Sequence, residues 1–323
     1  VRIATLGSHS ALQILKGAKD EGFSTVCLCL PGKETPYRSF KVADSIVPIA
    51  RYEDMLSVNL KDCILVPHAS LVSYLGEKVQ KLTMPYFGDK VMLRVEADRG
   101  KQEEWLRSSG LRVPRTSDAD AIPGLSIVKF HGAKGGQGYF LCSTPEEFTQ
   151  KIGERKDYVI QEYIVGVPLY LQYFYSPLNN ELELMGVDRR YESNVDGLGR
   201  VTAKDQLSAG IEASYTVAGN TPVVLRESLL PEVFAMGEAV VRASRKYAPK
   251  GLFGAFCLEC VLTPELQFVT FEVSARIVAG TNLYTQGSPY TALRYSEPMS
   301  TGRRIAREIR LAIERDELEK VLG

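Results

Sequence analysis

The sequence lacks any apolar run close to the roughly 20 residues that span a bilayer, which excludes a transmembrane helix. It also lacks an excess of either charge: 39 Lys+Arg stand against 39 Asp+Glu among 323 residues. That balance argues against a basic nucleic-acid surface and against an acidic tail, so an anionic ligand must be met by local charge. No Gly-Lys-Ser/Thr closes a Walker loop and no Gly-x-Gly-x-x-Gly opens a helix, which sets both of those nucleotide signatures aside. Gly7-Ser8-His9-Ser10 likewise lacks the glycine spacing of a dinucleotide oxidoreductase. No internal repeat or low-complexity tract is present, and no signal-peptide pattern precedes the strand-like run Val1–Leu6. The expectation is a soluble, cytoplasmic protein. Six cysteines (27, 29, 63, 142, 257 and 260) lie in or beside strand-like runs, where a thiol behaves as a small buried apolar group. Cys257 and Cys260 form a lone C-x-x-C, but residues three apart on a strand face opposite ways, which argues against a metal site.

What is present is a glycine-rich stretch. An apolar run, Leu125 to Val128, leads into a loop holding Gly132, Gly135, Gly136 and Gly138, with Lys129 at its start and Lys134 inside it. Glycines let successive backbone N–H groups turn toward an anion, and lysines add compact positive charge. Tyr139-Phe140-Leu141-Cys142 reads as a second strand, so the stretch is expected to be a hairpin flap over a polyphosphate. An ordinary glycine turn with solvated lysines is the other reading of this stretch alone.

Before it, residues 1 to about 88 alternate between strand-like and helical runs, which implies a covered, mostly parallel sheet. Ligands bind at the carboxyl ends of such strands. The loops there carry Ser8-His9-Ser10 and His68-Ala69-Ser70, and the remaining histidine, His131, falls in the glycine-rich loop. His9 sits at the start of a helix, where N–H groups with Ser8 and Ser10 can hold a phosphate. A single linker helix is expected over about Lys90 to Ser109, with Leu93, Ala97, Trp105 and Leu106 inward and Arg94, Glu96, Asp98, Arg99 and Lys101 wet.

After the flap, Pro145-Glu146-Glu147 signals a helix start, and Tyr158–Val165 reads as a strand carrying Gln161 and Glu162. A carboxylate in an apolar strand needs a partner, which ribose hydroxyls or an adenine amino group provide. Long antiparallel strands follow, then the polar stretch Arg189-Arg190-Tyr191-Glu192-Ser193-Asn194 and a helix over about Pro231 to Tyr247. Two strand-like runs, Gly254–Leu262 and Gln267–Arg276, flank Thr263-Pro264-Glu265-Leu266 and should pair as a hairpin. Counting outward from the turn brings Glu259 and Glu272 nearly opposite, and alternation places both on one face with Thr270 and Ser274. Like charges across a pair are destabilising unless a cation bridges them, and Mg²⁺ takes one or two carboxylates plus substrate phosphates. Arg276 at the strand end is placed to meet a transferring phosphoryl group. A C-terminal amphipathic helix is expected over about Arg303 to Leu322.

A glycine-rich flap with lysines, a strand-end Gln-Glu, and two carboxylates on a late hairpin followed by Ser-x-Arg resemble an ATP-grasp enzyme. Four longer motifs carry the likeness further: Gly7-Ser8-His9-Ser10-Ala11-Leu12, the flap, Asp188–Asn194 and Ser274–Asn282. Over essentially the full length they are similar to the archaeal purine-biosynthesis family PurP, the formate-dependent AICAR ligases (FAICAR synthetases). The resemblance implies an α/β (α+β) ATP-grasp fold with an N-terminal Rossmann-like parallel-sheet domain. The expected division is 1–88, a helical linker at 89–120, a small lobe at 121–166 and a large lobe at 167–323. It further implies that Lys129, Lys134, Gly135, Gly136, Gly138, Gln161, Glu162 and Glu192 hold ATP. Glu259 and Glu272 would bind Mg²⁺, with Mn²⁺ an alternative. His9, Ser10, Ser70 and Asn220 would bind the ribonucleotide AICAR, and Arg276 and His9 would be catalytic. The implied reaction joins formate to AICAR through formyl phosphate, in a homo-oligomer, trimer or hexamer, with no nucleic-acid or membrane partner. The chain departs from the family pattern at Asp89 (commonly Asn), Gln172 (often His, and expected to face the cleft) and Ala69 (commonly Gly). Two alternatives remain at this stage: a related ligase for another acid or amine, and a non-catalytic nucleotide-binding relative.

Overall fold

The computed structural model describes residues 1–130, 139–211 and 213–323. The N-terminal alternation folds into a parallel sheet of β1 (Arg2–Leu6), β2 (Thr25–Cys29), β3 (Ser45–Pro48) and β4 (Cys63–Leu65), in the order β3-β2-β1-β4. β2 is fully buried and β1 nearly so, which is why both read as near-continuous apolar runs rather than alternating ones. The winding reverses between β1 and β4, so the loops that follow them lie side by side at the carboxyl edge, where such sheets bind ligands.

The middle of the chain forms a small antiparallel sheet, β5 (Ser126–Phe130), β6 (Tyr139–Cys142) and β7 (Tyr158–Glu162), in the order β6-β5-β7. Lys129 stands opposite Tyr139, so the two strands flanking the glycine-rich loop pair as expected. The loop, with His131, Gly132, Lys134, Gly135, Gly136 and Gly138, lies outside the described residues. The helix Pro145–Ile152 begins at Thr144, whose hydroxyl accepts from the Glu147 N–H at 3.2 Å.

The large antiparallel sheet contains β8 (Val167–Ser176), β9 (Glu181–Glu192), β10 (Val217–Pro222), β11 (Gly254–Leu262) and β12 (Phe268–Ser274), ordered β10-β9-β8-β11-β12. The helix Leu230–Ser244 buries Val233, Met236, Gly237, Val240 and Val241 against one face. Gly237 is required there, because a Cβ would come within 2.8 Å of Leu182 and 2.9 Å of Tyr173. The other face packs on the helix Thr301–Glu314, which also crosses the helix Ala11–Asp20. That crossing is tight: a Cβ on Gly17 would meet the Arg303 backbone at 2.1 Å, and one on Gly302 the Gln13 carbonyl at 2.3 Å. The parallel-sheet region is thereby clamped to the large sheet.

Two expectations about helices need correction. The linker is not one helix but two, Lys90–Ala97 and Arg99–Ser108, broken at Asp98, whose extended backbone (ψ 107°) ends the first and whose carboxylate caps the second. The break exposes Ala97 and buries Glu96, the reverse of the expected pattern. The C-terminal helix stops at Glu314, because Asp316 takes a left-handed backbone (φ 53°), and only the short 3₁₀ turn Leu318–Lys320 follows.

Candidate active site

A cleft of about 1410 Å³, counted to its open mouth, is lined by residues of both antiparallel sheets. From the small sheet come Lys129, Gln161 and Glu162; from β9, Arg190 and Glu192; from the hairpin β11–β12, Glu259, Phe271 and Glu272.

Lys129 reaches across the small sheet to donate to Gln161 Oε1 at 3.0 Å, with its ammonium 5.4 Å from the Phe271 ring centre. Burial lowers its pKa, opposed by Glu272. Glu162 is fixed by Arg115, whose backbone N–H and Nε donate to its two oxygens at 2.8 and 2.9 Å. Burial raises the Glu162 pKa, but Arg115 outweighs it and the net shift is downward. Glu192 moves the other way, raised by burial and by Asp196.

Beside the turn Leu262 pairs with Phe268, and beyond a register shift Glu259 pairs directly with Glu272, so the two glutamates expected to lie nearly opposite do face each other. A bulge follows between Glu259 and Cys260, so Thr270 pairs with Cys260 and does not share the face of Glu259 and Glu272 as expected; it borders one hollow with Arg112 and Glu232 and another with Lys129 and Gln161. Glu259 is 2% exposed and accepts from Arg190 Nη2 at 2.8 Å and from Ser274 Oγ at 3.4 Å. Burial and the facing Glu272 push its pKa up to about 7, against the pull of Arg190. A buried carboxylate disfavoured as an anion beside a second carboxylate fits a divalent cation, which would remove both penalties. Among the described residues no group of three or more His, Cys, Asp or Glu forms a closed metal cage. Two carboxylates with room for phosphate oxygens suit Mg²⁺.

A second group gathers at the carboxyl edge of the parallel sheet. His9 takes a left-handed backbone (φ 52°), uncommon for a residue with a side chain, and its carbonyl accepts from Asn282 Nδ2 at 3.1 Å. Its ring stacks on His68 with centroids 5.5 Å apart, and Nδ1 meets the buried Ser10 hydroxyl at 2.8 Å. Ser10 therefore meets His9 rather than open space. Although open to solvent, the His9 imidazole is crowded by protein. That desolvation, with His68, Arg276 and Arg190 nearby, lowers its pKa to about 2, so it is neutral near pH 7. His68 is not ligand-facing: it is fully buried, bonds the Leu6 carbonyl through Nε2 at 2.8 Å, and takes the Ser70 N–H on Nδ1 at 3.3 Å. Ser70 and Ser8 join their hydroxyls at 2.9 Å, tying the two loops together.

Arg276 is held by Glu96 from the broken linker helix, Nη2 to Oε1 at 3.0 Å, while Glu96 Oε2 accepts from the Ala275 N–H at 2.8 Å. Its Nε is buried and makes no hydrogen bond among the described residues. Asn220 donates to Asp188 Oδ2 at 2.7 Å, and Gln172 donates to Asp188 Oδ1 at 2.5 Å. Gln172 is 1% exposed and so does not face the cleft as expected; its Oε1 has no hydrogen-bond partner among the described residues. Asp89, the other polar departure, caps the helix Lys90–Ala97 by accepting from Val91 N–H at 2.7 Å, a role an Asn oxygen also fills.

Residues 189–194 are not a polar stretch after a strand, as expected from their composition: β9 continues through them to Glu192. Strand alternation then sets Asp188, Arg190 and Glu192 on one face, a period-two run of charge that is visible in the sequence once the strand is extended. Glu96 left no such signal, since its partner is 180 positions away.

Two family models match the chain: a protein of unknown function, DUF1246, over residues 3–117, and a domain of unknown function, DUF1297, over residues 148–323. The chain is 52% identical, over all of its length and 99% of the relative's, to the Pyrococcus horikoshii protein named 5-formaminoimidazole-4-carboxamide-1-(beta)-D-ribofuranosyl 5'-monophosphate synthetase. The crystal structure of an IMP biosynthesis protein PurP from Thermococcus kodakaraensis superposes with TM-score 0.83 at 34% identity, covering 99% of this chain and 100% of that one. The biotin carboxylase domain of Hydrogenobacter thermophilus 2-oxoglutarate carboxylase, crystallised with MgADP, matches with TM-score 0.68 at 15% identity, over 95% of this chain and 69% of that one, which is a likeness of fold. The chain belongs to the PurP family of 5-formaminoimidazole-4-carboxamide ribonucleotide synthetases and has the ATP-grasp fold.

Proposed function

We propose that this protein is an ATP-dependent carbon–nitrogen ligase that formylates AICAR to FAICAR, using formate and passing through formyl phosphate. The observation that carries this reading is the full-length 52% identity to a relative named as the synthetase of that product. ATP lies in the cleft, held by Lys129, Gln161, Glu162, Glu192 and the loop with Lys134, Gly135, Gly136 and Gly138. Glu259 and Glu272 would hold Mg²⁺, for which Mn²⁺ could substitute, and the metal would neutralise phosphate charge. His9, Ser70 and Asn220 bind AICAR; Ser10 sets the His9 ring. A formate oxygen attacks the γ phosphorus and ADP leaves. The exocyclic amine of AICAR then attacks the formyl carbon, phosphate departs with one formate oxygen, and the amine loses a proton. Phosphorylation is needed because formate is a poor electrophile and that amine a weak nucleophile. Arg276, with its free Nε, stabilises charge on the group in transit. Neutral His9 serves as a hydrogen-bonding partner rather than a fixed cation.

The reading includes the division of the chain near residues 88, 120 and 166, a cytoplasmic location and a homo-oligomeric state, trimer or hexamer, which analytical ultracentrifugation checks. For the reaction itself, ADP release by the purified protein is expected to require formate and AICAR together. ATP turnover indifferent to either substrate refutes it.

A further inference from the structure

We infer that Arg190 is a second catalytic arginine, one whose guanidinium touches the phosphoryl group as it passes from ATP to the acid. This rests on the reading of the cleft as an ATP site. Arg190 lies on β9 between Asp188, which holds Asn220, and Glu192 in the cleft wall. One donor, on Nη2, bonds Glu259 Oε1 at 2.8 Å, and the guanidinium lies 3.9 Å from the ring centre of Tyr170, itself 5% exposed. Stacking on a buried ring and pairing with a buried carboxylate fix the orientation of the planar fork, while the side chain stays 31% exposed and lines the cleft. A guanidinium has five N–H donors, and Glu259 occupies one of them here.

The position is also a junction. Arg190 pairs across the strands with Asn220, contacts Glu259, and its charge is felt at His9 together with that of Arg276. Arg276, two residues beyond the end of β12, adjoins Ile277, which bridges to His68 in the parallel-sheet loop. In the transfer, an acid oxygen bonds to the γ phosphorus, the bond to the β–γ bridging oxygen breaks, and ADP leaves with the electron pair. Negative charge spreads over the three non-bridging oxygens, and preoriented donors act on it.

The alternative is that Arg190 only neutralises Glu259, a task any cation performs. Arg190→Lys separates the two, because it keeps the charge and loses the fork. The measurement is retention of labelled ADP·Mg²⁺ with and without aluminium fluoride, a mimic of the phosphoryl group in flight. Wild type is expected to gain about 100-fold in retention from the fluoride. Arg190→Lys should bind ADP·Mg²⁺ within about threefold of wild type and lose at least about 30-fold of that gain. Arg190→Ala, judged on its folded fraction by circular dichroism, should lose as much. A lysine variant that keeps the gain within about threefold, or a wild type that shows none, overturns the inference. Formate and AICAR are absent throughout, so an error in the assigned acid or amine leaves this readout untouched.

Discussion

Two buried charge clusters lie on the large sheet, and they differ in how completely they are satisfied. At the back, Arg304 donates to Glu183 at 2.8 Å and to Glu308 at 2.7 Å, Glu308 also accepts from Ser176 at 2.6 Å, and Glu183 from Tyr295 at 2.5 Å. With Arg294 also beside Glu183 at 3.5 Å, two cations meet two carboxylates there, and hydrogen bonds complete the set. In the cleft, Glu259 faces a second carboxylate and is pushed up to about 7, and behind it the buried Arg276 Nε has no hydrogen-bond partner among the described residues. The first cluster is complete without a ligand. The second is left short of positive charge and short of acceptors for its arginine, a deficit that a metal–phosphate complex is suited to fill.

If that contrast holds, removing a charge acts on activity in one cluster and on stability in the other. Glu272→Gln should reduce ADP release by about 10³-fold or more while leaving the unfolding midpoint equal or higher, since it relieves repulsion with Glu259. Arg304→Met should do the reverse, lowering stability in urea unfolding by about 3–5 kcal/mol because the buried Glu308 loses its cation and Glu183 keeps only the partly exposed Arg294. Asp188→Ala removes the acceptor that anchors Asn220, and a rise of about tenfold in the AICAR KM with a smaller change in kcat is the expected kinetic result.

The smallest effect concerns Glu21, where the helix Thr301–Glu314 meets the parallel-sheet region. Burial raises its pKa, but Arg307, Arg303 and Arg310 outweigh that and the net shift is downward from 4.5. A depressed folded-state pKa stabilises above the unfolded value and is lost as pH falls through the folded one. Wild type should therefore exceed Glu21→Gln by about 1 kcal/mol at pH 7, with the advantage vanishing in acid. A difference constant from pH 7 to pH 3 would show that packing, not charge, holds that crossing.

Legibility in the sequence followed the range of the interactions involved. The nearness of Glu259 and Glu272 is local and legible from a short turn between two strands. Their direct pairing is not, because a count from a four-residue turn sets Glu259 opposite Thr270, whereas Leu262 pairs with Phe268 and the bulge then brings Glu259 to Glu272. The parallel sheet and the helix Leu230–Ser244 announced themselves by apolar periodicity. Asp98 defeated the linker reading because one residue both fits a helical pattern and caps the next helix. The bulge after Glu259 turned Thr270 away from the face of the two glutamates, and no residue type signals it. Glu96 and Arg276, or Gln172 and Asp188, meet only because of the assembled fold. Arg190 was passed over for a different reason: a strand ending in charge looks like a loop until its partner β10 is known.

The formyl phosphate route is tested most directly by turnover with ¹⁸O-labelled formate in the presence of ATP and AICAR. The mechanism predicts one labelled oxygen in each phosphate released as formylated product accumulates. Unlabelled phosphate beside that product would contradict it.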